Sequence, residues 1–192
     1  KIIRRDVESN FGLLPESFET YNIVEPDNIV LRLTDLQNDK RSLRCGFVSE
    51  RGIITSAYLT LEKNRNAEVD PAYAYYLLHS YDIRKVFYGM GGGVRQVIKF
   101  EDLKRLPIFL PPLEEQKCLA ECLSKKTLLI DDLILKKEKL IELLKEERAA
   151  TINQAVTKGL DTKVELKNSS LPWLGQIPKH WKTKRLKYVA RV

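Results

Sequence analysis

Three places in this sequence gather residue types that could do chemistry. The stretch "FYGMGGGV" (Phe87–Val94) carries a glycine run of the kind that lets a backbone approach a nucleotide cofactor. Asp161 and "ELK" (Glu165–Lys167) echo the acids and lysine of a metal-dependent nuclease. Cys118 and Cys122 stand four residues apart, on one face of a helix, where paired thiols could begin a metal site. Their surroundings argue against all three. A cofactor loop follows a strand and opens a helix, but here a predicted helix precedes the glycines and a strand follows. The Asp161–Lys167 segment reads as a linker with no core to fix carboxylate geometry. The two histidines, His79 and His180, lie far from the cysteines in sequence, and small buried thiols are the simpler reading. There is no Ser-His-Asp or Cys-His arrangement and no GxxxxGK[ST] phosphate loop. The sequence reads as a binder, with the glycine run as a loop that lets backbone come near a ligand such as DNA.

The totals agree with a binder of polyanions. The chain has 192 residues, 43% hydrophobic and 31% charged, enough for one domain plus an extension or two small domains. Its net charge is +7, which suits phosphate neutralisation and counterion release. No apolar run approaches the ~20 residues that span a bilayer, and no signal peptide opens the chain, so a cytoplasmic protein without membrane partners is expected. Three cysteines, Cys45, Cys118 and Cys122, cannot all pair, which argues against a disulfide framework. The only methionine is Met90, so the chain opens at Lys1 without an initiator: residues were removed, or this is a piece of something longer.

The elements that must position these residues read as mixed α/β over residues 1–111. "NIVLRL" (Asn28–Leu33) and "GIITSAYLTL" (Gly52–Leu61) have the branched, apolar character of strands. Between them Thr34–Arg44 is polar and turn-rich, an exposed loop. Asp70 is a good N-cap and Pro71 fits the first helical position after it. Tyr73, Tyr76, Leu77 and Tyr81 then recur at helical spacing and should face a core. Gly91–Gly93 break that helix. A strand "VRQVI", a helical turn around "FEDLKRL" and a short edge strand "LPIFL" follow.

Pro111 favours an extended predecessor and Pro112 presets a helix start, with Glu114 and Glu115 in the first turn, where negative charge suits the helix dipole. From Leu113 to about Lys158 there is no proline or glycine. Leu119, Leu123, Ile130, Ile134, Ile141 and Leu144 recur at coiled-coil spacing, with Leu133 and Leu140 beside the seam and Thr127, Lys137 and Arg148 interrupting it. Glu121–Lys125 and Asp132–Lys136 are favourable i,i+4 pairs, and Gly159 is a plausible stop. Such a helix of about 45 residues would be about 68 Å long and calls for another long helix to cover its stripe. Beyond it, Trp173 and Trp181 precede a basic run, Lys179, Lys182, Lys184, Arg185, Lys187 and Arg191, with no acid after Glu165. This tail is a solvated strand edge with docked tryptophans, or a second basic contact with DNA.

"LKRLPIFLPPLEEQ" (Leu103–Gln116), joined to "IDDLILKKEKLIELLKEERAATINQAVTKGLD" (Ile130–Asp161) and "WLGQIPKHW" (Trp173–Trp181), resembles the specificity (S) subunit of type I restriction–modification systems. "GGGVRQVIKFEDLKRLPI" (Gly91–Ile108) resembles the glycine–arginine stretch near the close of a target recognition domain. The resemblance implies an α/β (α+β) target recognition domain over 1–111, N-terminally incomplete. A helical spacer forming a long coiled-coil helix over 112–160 follows, then a linker and the opening strand of a recognition domain over 161–192. It implies a non-catalytic subunit that directs methyltransferase (M) and restriction (R) subunits to a bipartite site on double-stranded DNA. S-adenosylmethionine, ATP and Mg²⁺ would then belong to the partners, with no cofactor in this chain. A complete S subunit has two recognition domains and two spacers, so this chain is either a fragment or a half-subunit. In the second case the "WLGQIPKHW" tail completes a circularly permuted domain, and homodimerisation rebuilds two half-sites.

Base edges are read best by Arg, Lys, Asn and Gln. Gln37, Asn38, Lys40, Arg41 and Arg44 share one predicted loop, and Gly92, Gly93, Arg95, Gln96 and Lys99 form the second candidate group. Loop capping, or a surface pair between Asp39 and Arg41, would explain some of these without DNA. Two other functions compete: a coiled-coil scaffold or adaptor that binds no DNA, and a stand-alone methyltransferase. The second lacks an "NPPF"-type motif, and the first has no need for the loop chemistry after Thr34 and Gly93.

Overall fold

The computed structural model describes residues 18–36, 38–39, 41–90, 97–171 and 173–191. The chain divides into two compact units, Lys1–Lys126 and Thr127–Val192. Among the described residues five short strands come first: β1 (Tyr21–Val24), β2 (Ile29–Leu31), β3 (Cys45–Phe47), β4 (Gly52–Thr55) and β5 (Leu59–Leu61). They are followed by α1 (Pro71–Ile83), a 3₁₀ turn at Val86–Gly89, α2 (Phe100–Leu103) and the 46-residue α3 (Leu113–Lys158), which begins in the first unit and ends in the second. The strands followed by one long helix bear out the expected fold class.

β2 is the centre of the first unit. It pairs antiparallel with β3 on one side and β5 on the other, with Leu31 opposite Cys45 and Leu59. All three β2 residues are buried, because both faces of the strand are covered. Ile29 and Leu31 join the main core with Leu33, Leu36, Leu78 and Phe87. Val30 points the other way, into a smaller cluster with Val24 and Val48. This two-sided burial explains why Ile29, Val30 and Leu31 are apolar in succession instead of alternating with polar residues.

The expected single strand Gly52–Leu61 is two strands. β4 pairs with β1, and β5 pairs with β2 in a different sheet. The break is a tight turn in which the Tyr58 N–H donates to the Thr55 carbonyl at 3.1 Å. Tyr58 packs against the Val24–Val30–Val48 cluster, so burial of that ring accompanies the change of sheet.

The first helix starts as anticipated, with the Asp70 carboxylate accepting the Tyr73 N–H at 2.9 Å and Pro71 at the start of the first turn. Its buried stripe is offset from the expected one. Leu78 and Asp82 are its buried residues, with Ala74, Tyr75 and Tyr81 packed on the core. Tyr73 and Tyr81 do something else as well: their hydroxyls donate to the carbonyls of Phe109 and Pro107, each at 2.9 Å. "LPIFL" is therefore not an edge strand. It is an extended segment whose polar backbone is taken up by tyrosine hydroxyls, with Phe109 left 70% exposed. At the far end of "VRQVI", Val97 forms only an isolated bridge.

α3 buries only Gln116 and Ala120 among its residues. Leu119, Leu123, Ile130, Ile134, Ile141 and Leu144 are all exposed, Ile130 by 55% and Ile141 by 51%. Its solvent face carries the expected Glu121–Lys125 and Asp132–Lys136 pairs, the second at 2.6 Å. The helix stops at Lys158 and Gly159 takes a positive φ of 83°, where a side chain would be strained. In the second unit β6 (Leu166–Asn168) and β7 (Gln176–Pro178) form an antiparallel pair. Ile177 is buried there and Trp181 is half-buried beside Gly159, but Trp173 is 78% exposed, so only one tryptophan docks. Lys179 turns back to Glu165 at 2.8 Å, which removes it from the free basic run.

Candidate nucleic-acid interface

Two stretches with candidate contact residues leave the core from a shared point. The Ile98 N–H donates to the Leu33 carbonyl at 3.0 Å. Leu33 stands just before the β2–β3 loop, and Ile98 just before Lys99. Both residues are buried, and Lys99 is exposed. Lys99 also stands before α2, where its N–H is held by the Asp102 carboxylate at 3.1 Å.

The β2–β3 loop is built of local turns. Asp35 has a φ of 58°, a conformation that Asp tolerates better than most residues, and its carboxylate accepts the Asn38 amide at 2.6 Å. One Asp39 carboxylate oxygen accepts the N–H groups of Arg41 (3.1 Å) and Ser42 (2.9 Å). Hydrogen bonds from Ser42 first, then from the Arg41 backbone and the nearby Arg44 charge, hold the Asp39 carboxyl well below the usual carboxylate range. Leu36 is fully buried and pins the middle of the loop to the core. Asn38 and Arg41 remain exposed.

Arg44 was expected to reach DNA, and its placement corrects that expectation. Its side chain is fully buried. The guanidinium donates to the Thr34 carbonyl (3.2 Å), to the Asp39 carbonyl and to the Tyr88 hydroxyl (3.4 Å), and pairs with the Asp39 carboxylate at 3.7 Å. Buried among these partners, the guanidinium is turned away from the surface where a base or phosphate would lie. The sequence suggests otherwise because a loop arginine beside Lys40 and Arg41 looks like one of a basic trio, and only the tertiary structure turns it inward. The conjectured Asp39–Arg41 surface pair is in fact a backbone turn plus an Asp39–Arg44 pair.

Beneath Arg44 lies Asp82 of α1, also fully buried. One of its carboxylate oxygens accepts the N–H groups of both Arg44 and Cys45, the latter at 3.1 Å. Its other oxygen has no hydrogen-bond partner among the described residues. Burial and the Asp82 charge push the Cys45 thiol up to about 12, so it is a neutral packing group. Burial, with the charges of Cys45 and Tyr76 adding to it, also raises Tyr75. Asp82 and Tyr88 were not singled out from sequence, and Asp39 only as a partner of Arg41. The only available signal was that Asp82 follows Ala74 and Leu78 at four-residue steps, on the face that becomes the core.

Gln37, Lys40, Gly92, Gly93, Arg95 and Gln96, the remaining candidates, lie outside the described residues. Among the described residues no group of His, Cys, Asp and Glu could hold a metal ion, and no helix is long and apolar enough to cross a membrane. Cys118 and Cys122 are exposed on α3, which corrects the reading of all three thiols as buried.

The sequence model of the family described as "Type I restriction modification DNA specificity domain" matches residues 50–145. The type I restriction enzyme MjaVIII specificity subunit of Methanocaldococcus jannaschii is 32% identical over 172 residues, covering 88% of this chain and 37% of that protein. The putative type I restriction enzyme MjaX specificity subunit of the same organism is 35% identical over 130 residues, covering 67% of this chain and 29% of that one. The chain thus spans about a third of the length of these relatives. With half of its length matched, from β4 through most of α3, the chain belongs to the family of type I restriction–modification DNA specificity domains.

Proposed function

We propose that this chain is a DNA-recognising part of a type I specificity subunit, non-catalytic in itself, and that it reads one half of a bipartite site on double-stranded DNA. The observation that carries the reading is the β2–β3 loop. Its backbone is held from beneath by Arg44, Leu36 and Asp82, and Asn38 and Arg41 are exposed on it, with one Asn38 amide N–H donated to Asp35. A fixed loop with an exposed asparagine and an exposed arginine suits base edges and phosphates. Lys99 and the candidates Gln37, Lys40, Gly92, Gly93, Arg95 and Gln96 would extend that surface. A pure scaffold would gain nothing from burying a charge to hold a polar loop.

The partners follow from the same reading. The exposed stripe of α3, Leu119 to Leu144, would pair with another long helix, from a second copy or from the spacer of a missing half. M subunits would bind S-adenosylmethionine, and R subunits would use ATP and Mg²⁺, in the cytoplasm, with no cofactor in this chain.

The test is duplex binding by fluorescence anisotropy over a salt series, for the parent chain, Arg41→Ala and Lys99→Ala. Each loss of a phosphate contact should weaken binding and reduce the salt slope by about one. If both variants keep the parent's affinity and slope, the DNA face lies elsewhere.

A further inference from the structure

The Asp39 carbonyl oxygen collects two donors from separate parts of the chain, the Arg44 guanidinium and the Tyr88 hydroxyl at 2.9 Å. The two donors also meet each other, Arg44 Nε to Tyr88 Oη at 3.4 Å. Tyr88 belongs to the 3₁₀ turn, three residues before the first glycine of the Gly91–Gly93 run. Lys85 enters that turn with a φ of 61° and lays its ammonium over the Tyr88 ring, 4.9 Å from its centre. A buried guanidinium is costly unless its donors are met. Apart from Tyr88, its partners among the described residues lie in the β2–β3 loop: the Thr34 and Asp39 carbonyls and the Asp39 carboxylate.

We propose that Tyr88 and Arg44 are positioning residues for sequence discrimination, a clamp that ties the β2–β3 loop to the turn preceding the glycine run. The inference rests on the DNA reading above and goes further, because it separates affinity from choice of sequence. Phosphates repeat along each strand, so Arg41 on a loosened loop still finds one. A base edge offers its pattern at one place only, so Asn38 and Arg41 can read it only from a backbone held still. Releasing the clamp therefore costs discrimination before it costs non-specific binding.

The experiment is selection of duplexes from a randomised pool by the full chain, followed by competition between the selected and a scrambled duplex. Tyr88→Phe removes one hydroxyl and keeps the ring. Circular dichroism and the thermal midpoint check that it folds. Its preference for the selected duplex should fall about three- to tenfold, the range of one net hydrogen bond, with affinity for the scrambled duplex and its salt slope unchanged. Arg44→Lys, which keeps the charge but loses the fork, should move preference in the same direction. An unchanged preference in folded Tyr88→Phe overturns the clamp and leaves the DNA reading standing. So does an equal loss on both duplexes. A parent chain that selects no sequence overturns the DNA reading itself, and the clamp with it.

Discussion

The side-chain carbonyl of Gln116, in the first turn of α3, accepts the backbone N–H of Asp70, the residue that caps α1, at 2.9 Å. The amide nitrogen of the same Gln116 donates to the carbonyls of Pro111 (2.7 Å) and Glu68 (3.1 Å). One buried side chain thus satisfies three backbone groups where two helices start. This is the physical content of "PPLEEQ": the prolines end the extended segment, the glutamates face solvent, and the glutamine turns inward. Gln116→Leu should destabilise the first unit by about 3 kcal/mol, since buried donors and acceptors are left unmet. Urea unfolding measures it. A midpoint equal to the parent's would show that the clasp is dispensable.

Asp82 should be just as sensitive. Its carboxylate holds two N–H groups at the end of the β2–β3 loop. Asp82→Ala leaves both unmet in a buried place, and should cost more than the roughly 1.5–3 kcal/mol of one charged hydrogen bond. Asp82→Asn should fall between alanine and the parent. Thermal unfolding of the three proteins gives the order, and a reversed order would refute the assignment of Asp82 as a backbone acceptor.

The three thiols should differ in reactivity. Cys118 and Cys122 are exposed and Cys45 is buried. Alkylation of the native protein at pH 8, read by intact mass, should add two groups, with the third appearing only on unfolding. The Cys45 value is raised in the fold from 9.0 to about 12, so the folded state binds this proton more tightly than the unfolded one. Its contribution to stability is therefore fully present below pH 9.0 and is lost as pH rises toward 12. Cys45→Ala should flatten that alkaline decline in denaturation midpoint. An unaltered slope would assign the decline to other groups.

The α3 stripe should drive association. Burying an isoleucine is worth about 1.5–3 kcal/mol, so Ile134→Lys with Ile141→Lys should weaken pairing by well over tenfold. Light scattering across a dilution series should find the parent as a dimer and the double variant as a monomer at the same concentrations. A parent that stays monomeric throughout overturns pairing between copies and directs the search to a second spacer.

What could be read from the sequence is what neighbouring residues decide among themselves. Asp70 and Pro71 start α1, Pro112 with Glu114 and Glu115 starts α3, and Gly159 ends it, because capping and backbone preference act within a few residues. The apolar period of α3 is visible for the same reason, and so is the apolar run of β2. The family signature in "LPIFLPPLEEQ" and the helix after it was equally legible.

The rest depends on partners far away in sequence. Gly52–Leu61 has no proline and no glycine after Gly52 to mark a break, and only its division between two sheets makes it two strands. Tyr73 and Tyr81 look like core residues because their rings are apolar. Their hydroxyls found the carbonyls of Phe109 and Pro107 only once "LPIFL" ran alongside α1. Arg44 has the type and the neighbours of a DNA contact. It became a brace because Asp82, from a helix 38 residues on, took its N–H, and Tyr88 met its side chain. Local preference chose the elements and their ends. Tertiary packing decided which polar groups were spent inside, like Arg44, and which, like Asn38 and Arg41, were left exposed.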